Sequence, residues 1–189
     1  MSLATRRRRK TRGNRYSGRF ASHRRRKLLM ESLEDRRLLA AGMLDPEFGD
    51  RGLVVTDLGK DGDFGRAMAL QQDGKIVVAG GVSDDFALLR YNVDGRLDTA
   101  FGGGDGIVTT DFSGDVDSAV SVAVQADGKI VVAGVSETAA SGRDFAVARY
   151  NTDGSLDRSF DGDGLVTTDL RGQDVAFDVA IDSDGKIIV

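Results

Sequence analysis

The sequence predicts an all-β repeat protein, and two features of the chain indicate this class. A phrase in which Asp-Gly-Lys precedes an apolar run occurs three times, at residues 72–80, 125–134 and 182–189. Asp-Gly pairs tolerate positive φ, so such a pair between two apolar runs is a strong signal for a tight β-hairpin. The chain also contains 25 Gly and 1 Pro, which favours many short strands joined by turns.

Residues 1–27 form a basic leader that we expect to be disordered. Lys and Arg fill residues 6–10 and 24–27, and such like charges repel one another and bury nothing. Residues 1–43 carry 14 Lys and Arg against 3 acids, whereas residues 44–189 carry 12 against 27. The leader is a nucleic-acid or nuclear-localisation arm, the positive region of an export signal, or a solvated tail. We favour the export role, because so acidic a body repels a polyanion.

Residues 28–43 are predicted to form a short amphipathic helix. Leu residues recur there at helical spacing, and Ser32 with Asp35 makes a weak capping box. Charged residues interrupt the apolar core that an ordinary secretory signal needs. Residues 31–40 read ESLEDRRLLA and resemble the LEPR-XLL segment of many large bacterial surface proteins, with Asp35 where that family usually has Pro. The resemblance implies export or placement at the cell surface.

The rest of the chain is predicted to consist of three repeats, 44–96, 97–155 and an incomplete 156–189. A phrase of the form Leu-Asp-x-x-Phe opens each repeat, and its starts are 53 and 59 residues apart. This spacing accommodates about four strands of ~5–6 residues, so we expect one small sheet per repeat. The predicted strands are 52–57, 66–71, 75–80 and 86–91 in the first repeat and 106–111, 119–124, 129–134 and 145–150 in the second.

A four-stranded unit at this period is typical of a β-propeller blade, which stacks face to face on its neighbours. The nearly unbroken apolar runs at 76–79 and 130–133 predict central strands that are buried on both faces. Phe86 and Phe145 are expected to pack between blades. Because the third repeat stops within its third strand, we expect an open array of two full blades and a truncated third. Such an array would be a fragment of a longer propeller protein, able to self-associate through its exposed strand edges.

Three phrases mark residues 44–189. L-D-x-x-F-G and D-G-K-I-V-V-A-G each occur twice, and F-A-V-A-R-Y-N-x-D-G-S-L-D occurs at 145–157 with a close variant at 86–98. In these phrases the chain resembles the delta-60 repeat family. The resemblance implies a propeller-like repeat of large secreted or surface bacterial proteins that has no established activity. It therefore points to an extracellular or cell-surface location and names no reaction.

The Asp-rich turns are candidate ligands for Ca²⁺, a hard ion that prefers carboxylate oxygens. They do not match the EF-hand loop or the calcium-binding β-helix repeat. Asp and Gly are also favoured in turns for conformational reasons, and we prefer this interpretation. The turn aspartates are Asp61, Asp63, Asp105, Asp161, Asp163, Asp182 and Asp184.

No familiar catalytic constellation occurs in the sequence. The chain has no Cys, and its single histidine, His23, lies in the basic leader, so neither a thiolate site nor a His-based triad can form within one chain. The Gly-Lys pairs of the three Asp-Gly-Lys phrases are followed by Ile rather than Ser or Thr, which excludes a phosphate loop there. We therefore predict no catalytic, cofactor-binding or metal-binding residues.

These features favour a non-enzymatic structural and interaction protein that binds a protein or a surface polysaccharide. Residues 82–85 and 135–144 are predicted to be variable loops, where recognition usually resides. Two alternatives remain, namely a propeller hydrolase that uses carboxylates or a bound metal and a nucleic-acid binder that uses the leader. The apolar runs are much shorter than the ~20 residues of a membrane-spanning helix, so no span is expected.

Overall fold

The computed structural model describes residues 42–59, 62–112, 116–138 and 142–189, and the regular elements in these ranges are all strands. This confirms the predicted all-β class. The predicted leader 1–27 and nearly all of the predicted helix 28–43 lie outside the described residues.

The strands form two four-stranded antiparallel sheets and one short pair. Sheet 1 contains, in spatial order, β1 (Phe64–Leu70), β2 (Ile76–Val82), β3 (Asp85–Tyr91) and β4 (Ile107–Thr110). Sheet 2 contains β5 (Val116–Val124), β6 (Ile130–Thr138), β7 (Gly142–Tyr150) and β8 (Leu165–Thr168). The third unit is the pair of β9 (Ala180–Ile181) and β10 (Ile187–Ile188).

The expectation of one sheet per repeat is wrong, because each sheet takes its last strand from the following repeat. β4 opens the second repeat but pairs with β3, with Leu89 opposite Ile107. The Leu-Asp-x-x-Phe phrase makes the connection, since the Asp98 amide donates to the Arg90 carbonyl (2.8 Å) and turns the chain back. β8 pairs with β7 in the same way.

The predicted strand 52–57 is the sequence equivalent, in the first repeat, of β4 in the second repeat. It forms no ladder of hydrogen bonds with another strand. Its only bridge within the described part of the chain is the local one between Asp50 and Leu53. The reason follows from the offset between sheets and repeats. A strand at this position pairs with the β3 of the preceding sheet, and no such strand precedes it among the described residues.

The hairpins also differ from the predicted loops 82–85 and 135–144. β2 and β3 are joined by Ser83 and Asp84 alone, and Ser83 has a φ of 53°. β6 and β7 continue to pair out to Thr138 opposite Gly142. Polar cross-strand pairs extend these ladders beyond the point where the apolar pattern ends, so the sequence indicated loops where the backbone is still paired.

The sheets stack face to face, as predicted for propeller blades. Phe86 and Leu88 of sheet 1 share one buried cluster with Val122, Ile130 and Val132 of sheet 2. The opposite face of sheet 2 packs on the third unit in a second cluster, which includes Phe145. β2 and β6 are therefore interior strands covered on both faces, and Phe86 and Phe145 pack between units as expected.

A buried hydrogen bond also joins neighbouring sheets. The Tyr150 hydroxyl at the end of β7 lies 2.7 Å from the hydroxyl of Thr110 in β4. The same pair recurs one repeat earlier, where the Tyr91 hydroxyl lies 2.7 Å from that of Thr56. Within the described residues the sheets form an open propeller-type stack rather than a closed ring.

Candidate functional site

The repeat phrases form a cluster of charged side chains that hydrogen-bond to one another. Asp98, from the Leu-Asp-x-x-Phe phrase, accepts hydrogen bonds at Oδ2 from Lys75 Nζ (2.9 Å) and Arg90 Nε (2.7 Å). Its Oδ1 accepts the Ala100 amide at 3.0 Å. Burial alone would raise the pKa of Asp98, but these donors outweigh burial and lower the pKa to about 2.

The cluster recurs in the second repeat. Asp157 Oδ2 accepts Lys129 Nζ at 2.9 Å and Arg149 Nε at 2.7 Å, and the Lys129 and Ser159 donors lower the pKa of this carboxyl. The Arg149 guanidinium also lies 4.6 Å from the centre of the Phe160 ring. In each cluster one carboxylate bonds two cations, and these charge-assisted hydrogen bonds hold the strand connections in place.

A second recurring feature is a group of three aspartates where two units meet. Asp85 begins β3, Asp111 follows β4 and Asp117 lies near the start of β5. Each offers a carboxylate oxygen, and the three oxygens lie within 4.8 Å of one another. We call this group triad 1. An ionised pair at such a separation repels by about 3 kcal/mol at an effective dielectric constant of 20.

Asp117 is the buried member of triad 1, with 2% of its surface exposed. Its Oδ2 accepts the Phe112 amide at 2.7 Å, and the Ser136 hydroxyl also hydrogen-bonds to the carboxyl group. Its Oδ1 is enclosed and has no hydrogen-bond partner. Burial raises the pKa of Asp117, and the neighbouring charges of Asp111 and Asp85 raise it further.

The same arrangement recurs at the next junction. Asp144, Asp169 and Asp174 bring their carboxylate oxygens within 4.8 Å of one another, and we call this group triad 2. Asp174 Oδ2 accepts the Leu170 amide at 2.6 Å, which matches the bond from Phe112 to Asp117.

The first repeat has an aspartate at the same position as Asp117. Asp63, Asp117 and Asp174 each precede the Lys of an Asp-Gly-Lys phrase by 12 residues. Asp63 Oδ2 accepts the Leu58 amide at 2.9 Å, and its Oδ1 is enclosed without a hydrogen-bond partner, as in Asp117. An enclosed Oδ1 without a hydrogen-bond partner therefore occurs at both Asp63 and Asp117.

Asp63 was among the turn aspartates that the sequence singled out, and none of these is a member of either triad. Asp105 accepts the Ile107 amide at 3.0 Å, Asp163 accepts the Leu165 amide at 2.9 Å, and Asp182 accepts the Asp184 amide at 2.9 Å. These bonds brace their own turns. Asp61 and the sole histidine, His23, are outside the described residues.

Sequence reasoning missed both triads. The members of triad 1 are 26 and 6 positions apart and come from three different strands or strand ends. Spacing alone could not bring them together. The available signal was the recurrence of an Asp at the same distance before each Asp-Gly-Lys phrase.

The face of sheet 1 that points away from sheet 2 is covered only in part. Leu58 packs with Ala87 and Leu89 there, whereas two apolar side chains of β1 remain exposed. Met68 and Leu70 of β1 are each 67% exposed on the face of sheet 1 that points away from sheet 2. Their counterparts in β5, Val122 and Val124, pack against sheet 1. We call the Met68 and Leu70 surface the outer face.

Residues 71–101 and 125–160 match the family described as "Domain of unknown function (DUF5122) beta-propeller". Residues 24–43 match the family described as "Planctomycete extracellular". No curated protein matches the chain. No helix in the described ranges has the length and apolar character needed to cross a membrane. The matches and the fold support an extracellular, propeller-type repeat protein.

Proposed function

We propose that this chain is a non-enzymatic extracellular structural and interaction module that binds a protein partner through the outer face of sheet 1. Its extracellular role is supported by the match at residues 24–43. The prominent Lys-Asp-Arg clusters are engaged in holding strands together, which favours a structural role over catalysis.

The observation that carries the proposal is the contrast between equivalent positions of β1 and β5. Met68 and Val122 each precede the Lys of an Asp-Gly-Lys phrase by 7 residues. Val122 is 8% exposed because sheet 1 covers it, whereas Met68 is 67% exposed. The outer face therefore has the apolar character of a sheet surface that another sheet covers.

We propose that the exposed side of β10 in a second copy of the chain covers the outer face. Ile187 of β10 packs toward sheet 2, so Ile188 projects to the other side of its strand, and it is 55% exposed. Exposed apolar side chains on the outer face and on the far side of β10 allow head-to-tail association. A polysaccharide fits less well, because the outer face presents Met and Leu rather than a row of aromatic rings.

The test is the molar mass of the full chain by light scattering across a range of concentrations. The mass of the wild-type protein should rise above that of a monomer. Met68→Lys/Leu70→Lys should stay monomeric, and so should Ile188→Lys, whereas their mixture should form a 1:1 dimer because each variant keeps one intact face. Val93→Lys, at a residue of equal exposure in the turn after β3, is the matched control and should behave as wild type.

Two outcomes would overturn the proposal. One is a wild-type chain that is monomeric at every concentration. The other is association of Met68→Lys/Leu70→Lys that equals that of Val93→Lys. Circular dichroism of each variant establishes that the strands are retained.

A further inference from the structure

Triad 1 contains an oxygen that the fold alone does not explain. Asp117 Oδ1 is enclosed and lacks a hydrogen-bond partner, and the equivalent Oδ1 of Asp63 is in the same condition. A buried acceptor without a donor is costly, and native structures rarely keep one without a reason. Because Asp117 belongs to a group of three carboxylates, a bound cation would supply the partner that its Oδ1 lacks.

We propose that triad 1 and triad 2 each bind a calcium ion that joins neighbouring units of the stack. In triad 1 the ion would touch β3, the end of β4 and β5, and would therefore connect sheet 1 to sheet 2. In triad 2 the equivalent groups come from β7, the end of β8 and the segment before β9. Each ion would occupy a junction between units.

The donor set fits calcium better than other common metals. The triads offer only carboxylate oxygens, which are hard ligands, whereas zinc and copper sites usually contain His or Cys. Calcium accepts about 6–8 oxygens in irregular geometry and combines bidentate carboxylates with water. Asp111 is exposed, so water can complete the coordination shell from that side. Magnesium demands a regular octahedron and is expected to bind more weakly.

The competing explanation is that each triad relieves its repulsion by keeping a proton. A proton shared between two carboxylates needs no metal, so the two explanations differ in a direct measurement. The full chain, stripped with EDTA and desalted, is titrated with CaCl₂ and separately with MgCl₂ by isothermal calorimetry, and its melting temperature is recorded in both salts.

We expect two calcium ions per chain, one for each triad. Binding near the 0.1–1 mM range of extracellular calcium modules should raise the melting temperature by roughly 5 °C or more at saturation. Asp117→Asn should reduce the stoichiometry to one, and Asp117→Asn/Asp174→Asn should abolish it. Without calcium, Asp117→Asn should melt at a higher temperature than wild type, because the variant lacks one of the three mutually repelling charges. Loss of a residue with only a structural role would instead lower the melting temperature.

Asp105→Asn is the matched control, since Asp105 is an exposed turn aspartate whose oxygen accepts a backbone amide that Asn can also satisfy. It should retain both ions. If Asp117→Asn does not fold, the exposed Asp111→Asn tests the same site. The proposal is overturned if folded wild-type protein neither binds calcium nor gains thermal stability from it, or if the double variant binds as wild type does.

Discussion

Asp98 is a buried carboxylate whose ionised form is held by two cations, Arg90 of β3 and Lys75, which directly precedes β2. Lys75 and Arg90 both bond to Oδ2, and the side chains of Arg90 and Asp98 are each 7% exposed. Arg90 also lies 4.3 Å from the centre of the Phe101 ring and donates to the Thr152 carbonyl of the next repeat. The Asp98 carboxylate thus ties Arg90 of β3 to the Leu-Asp-x-x-Phe phrase that opens the next repeat.

The pH dependence of stability follows from this environment. The pKa of Asp98 is about 2 in the folded chain and near its ordinary value of 3.8 when unfolded. Its ionisation therefore stabilises the fold above that ordinary value, and the contribution is lost as the pH falls toward about 2. Asp98→Asn should lower the free energy of unfolding by about 3 kcal/mol at pH 7, because it leaves a buried Arg without its counterion.

Urea unfolding between pH 7 and pH 2 checks this prediction. The difference between wild type and Asp98→Asn should shrink over the acid part of that range. Asp94→Asn is the control, since its ion pair with Arg96 is exposed at 3.7 Å and should contribute less than about 1 kcal/mol. Equal losses in the two variants, or a difference independent of pH, would show that Asp98 does not act through its charge.

At the scale of the strand, a bulge faces a glycine at the same place in each sheet. The register of β5 with β6 shifts between Ala119 and Ser121, opposite Gly134. A Cβ on Gly134 would lie 2.1 Å from the Ser118 carbonyl oxygen, so the backbones approach too closely for any side chain. Sheet 1 repeats the arrangement at Gly80, where a Cβ would lie 1.8 Å from the Phe64 oxygen.

Gly134→Ala should therefore destabilise the protein by about 1–3 kcal/mol, because the clash is with backbone atoms that cannot rotate away. Gly65→Ala is the matched control. It changes a glycine of the other bulge, where an added Cβ meets only the Val78 side chain at 3.2 Å. Thermal melts of both variants decide the matter, and a Gly134→Ala protein as stable as Gly65→Ala would contradict the packing argument.

The strands themselves were largely predictable because their signals are local. An Asp-Gly pair predicts a turn such as 71–75, where the Gln71 amide donates to the Lys75 carbonyl at 2.8 Å. Apolar runs predicted β2 and β6 as central strands. The pairing of β4 with β3 was not predictable in this way. A repeated phrase does not show whether its first strand pairs with strands of its own repeat or with those of the preceding repeat.

The candidate site was less predictable for a related reason. Asp is common in turns, so composition drew attention to residues such as Asp105, which braces its own turn. The aspartates of triad 1 become neighbours only when β5 of one sheet lies beside β3 and β4 of another. That contact depends on the stacking of whole sheets, which local patterns do not encode.

At the scale of the whole molecule, stability should come from contact between sheets rather than from any one sheet. A lone four-stranded sheet of this kind would expose its apolar residues to water. The shared cluster of Phe86, Leu88 and Ile130 buries one apolar face of sheet 1 and one of sheet 2 against each other. The outer face shows the same type of surface before it is covered, with Met68 in place of Val122. The chain thus contains its own comparison between a covered and an uncovered position.

Val122→Ala and Met68→Ala use that comparison to test the stacked architecture. Val122→Ala removes methyl groups from the cluster between the sheets and should cost about 2 kcal/mol, because the rigid neighbours cannot close the space. Met68→Ala removes atoms that already face water and should change stability by less than about 0.5 kcal/mol. Urea unfolding should be recorded on monomeric protein at low concentration, so that association does not contribute. Equal effects at the two positions would mean that the sheets do not shield each other, and the proposed roles of the outer face and of the ions between units would then lose their basis.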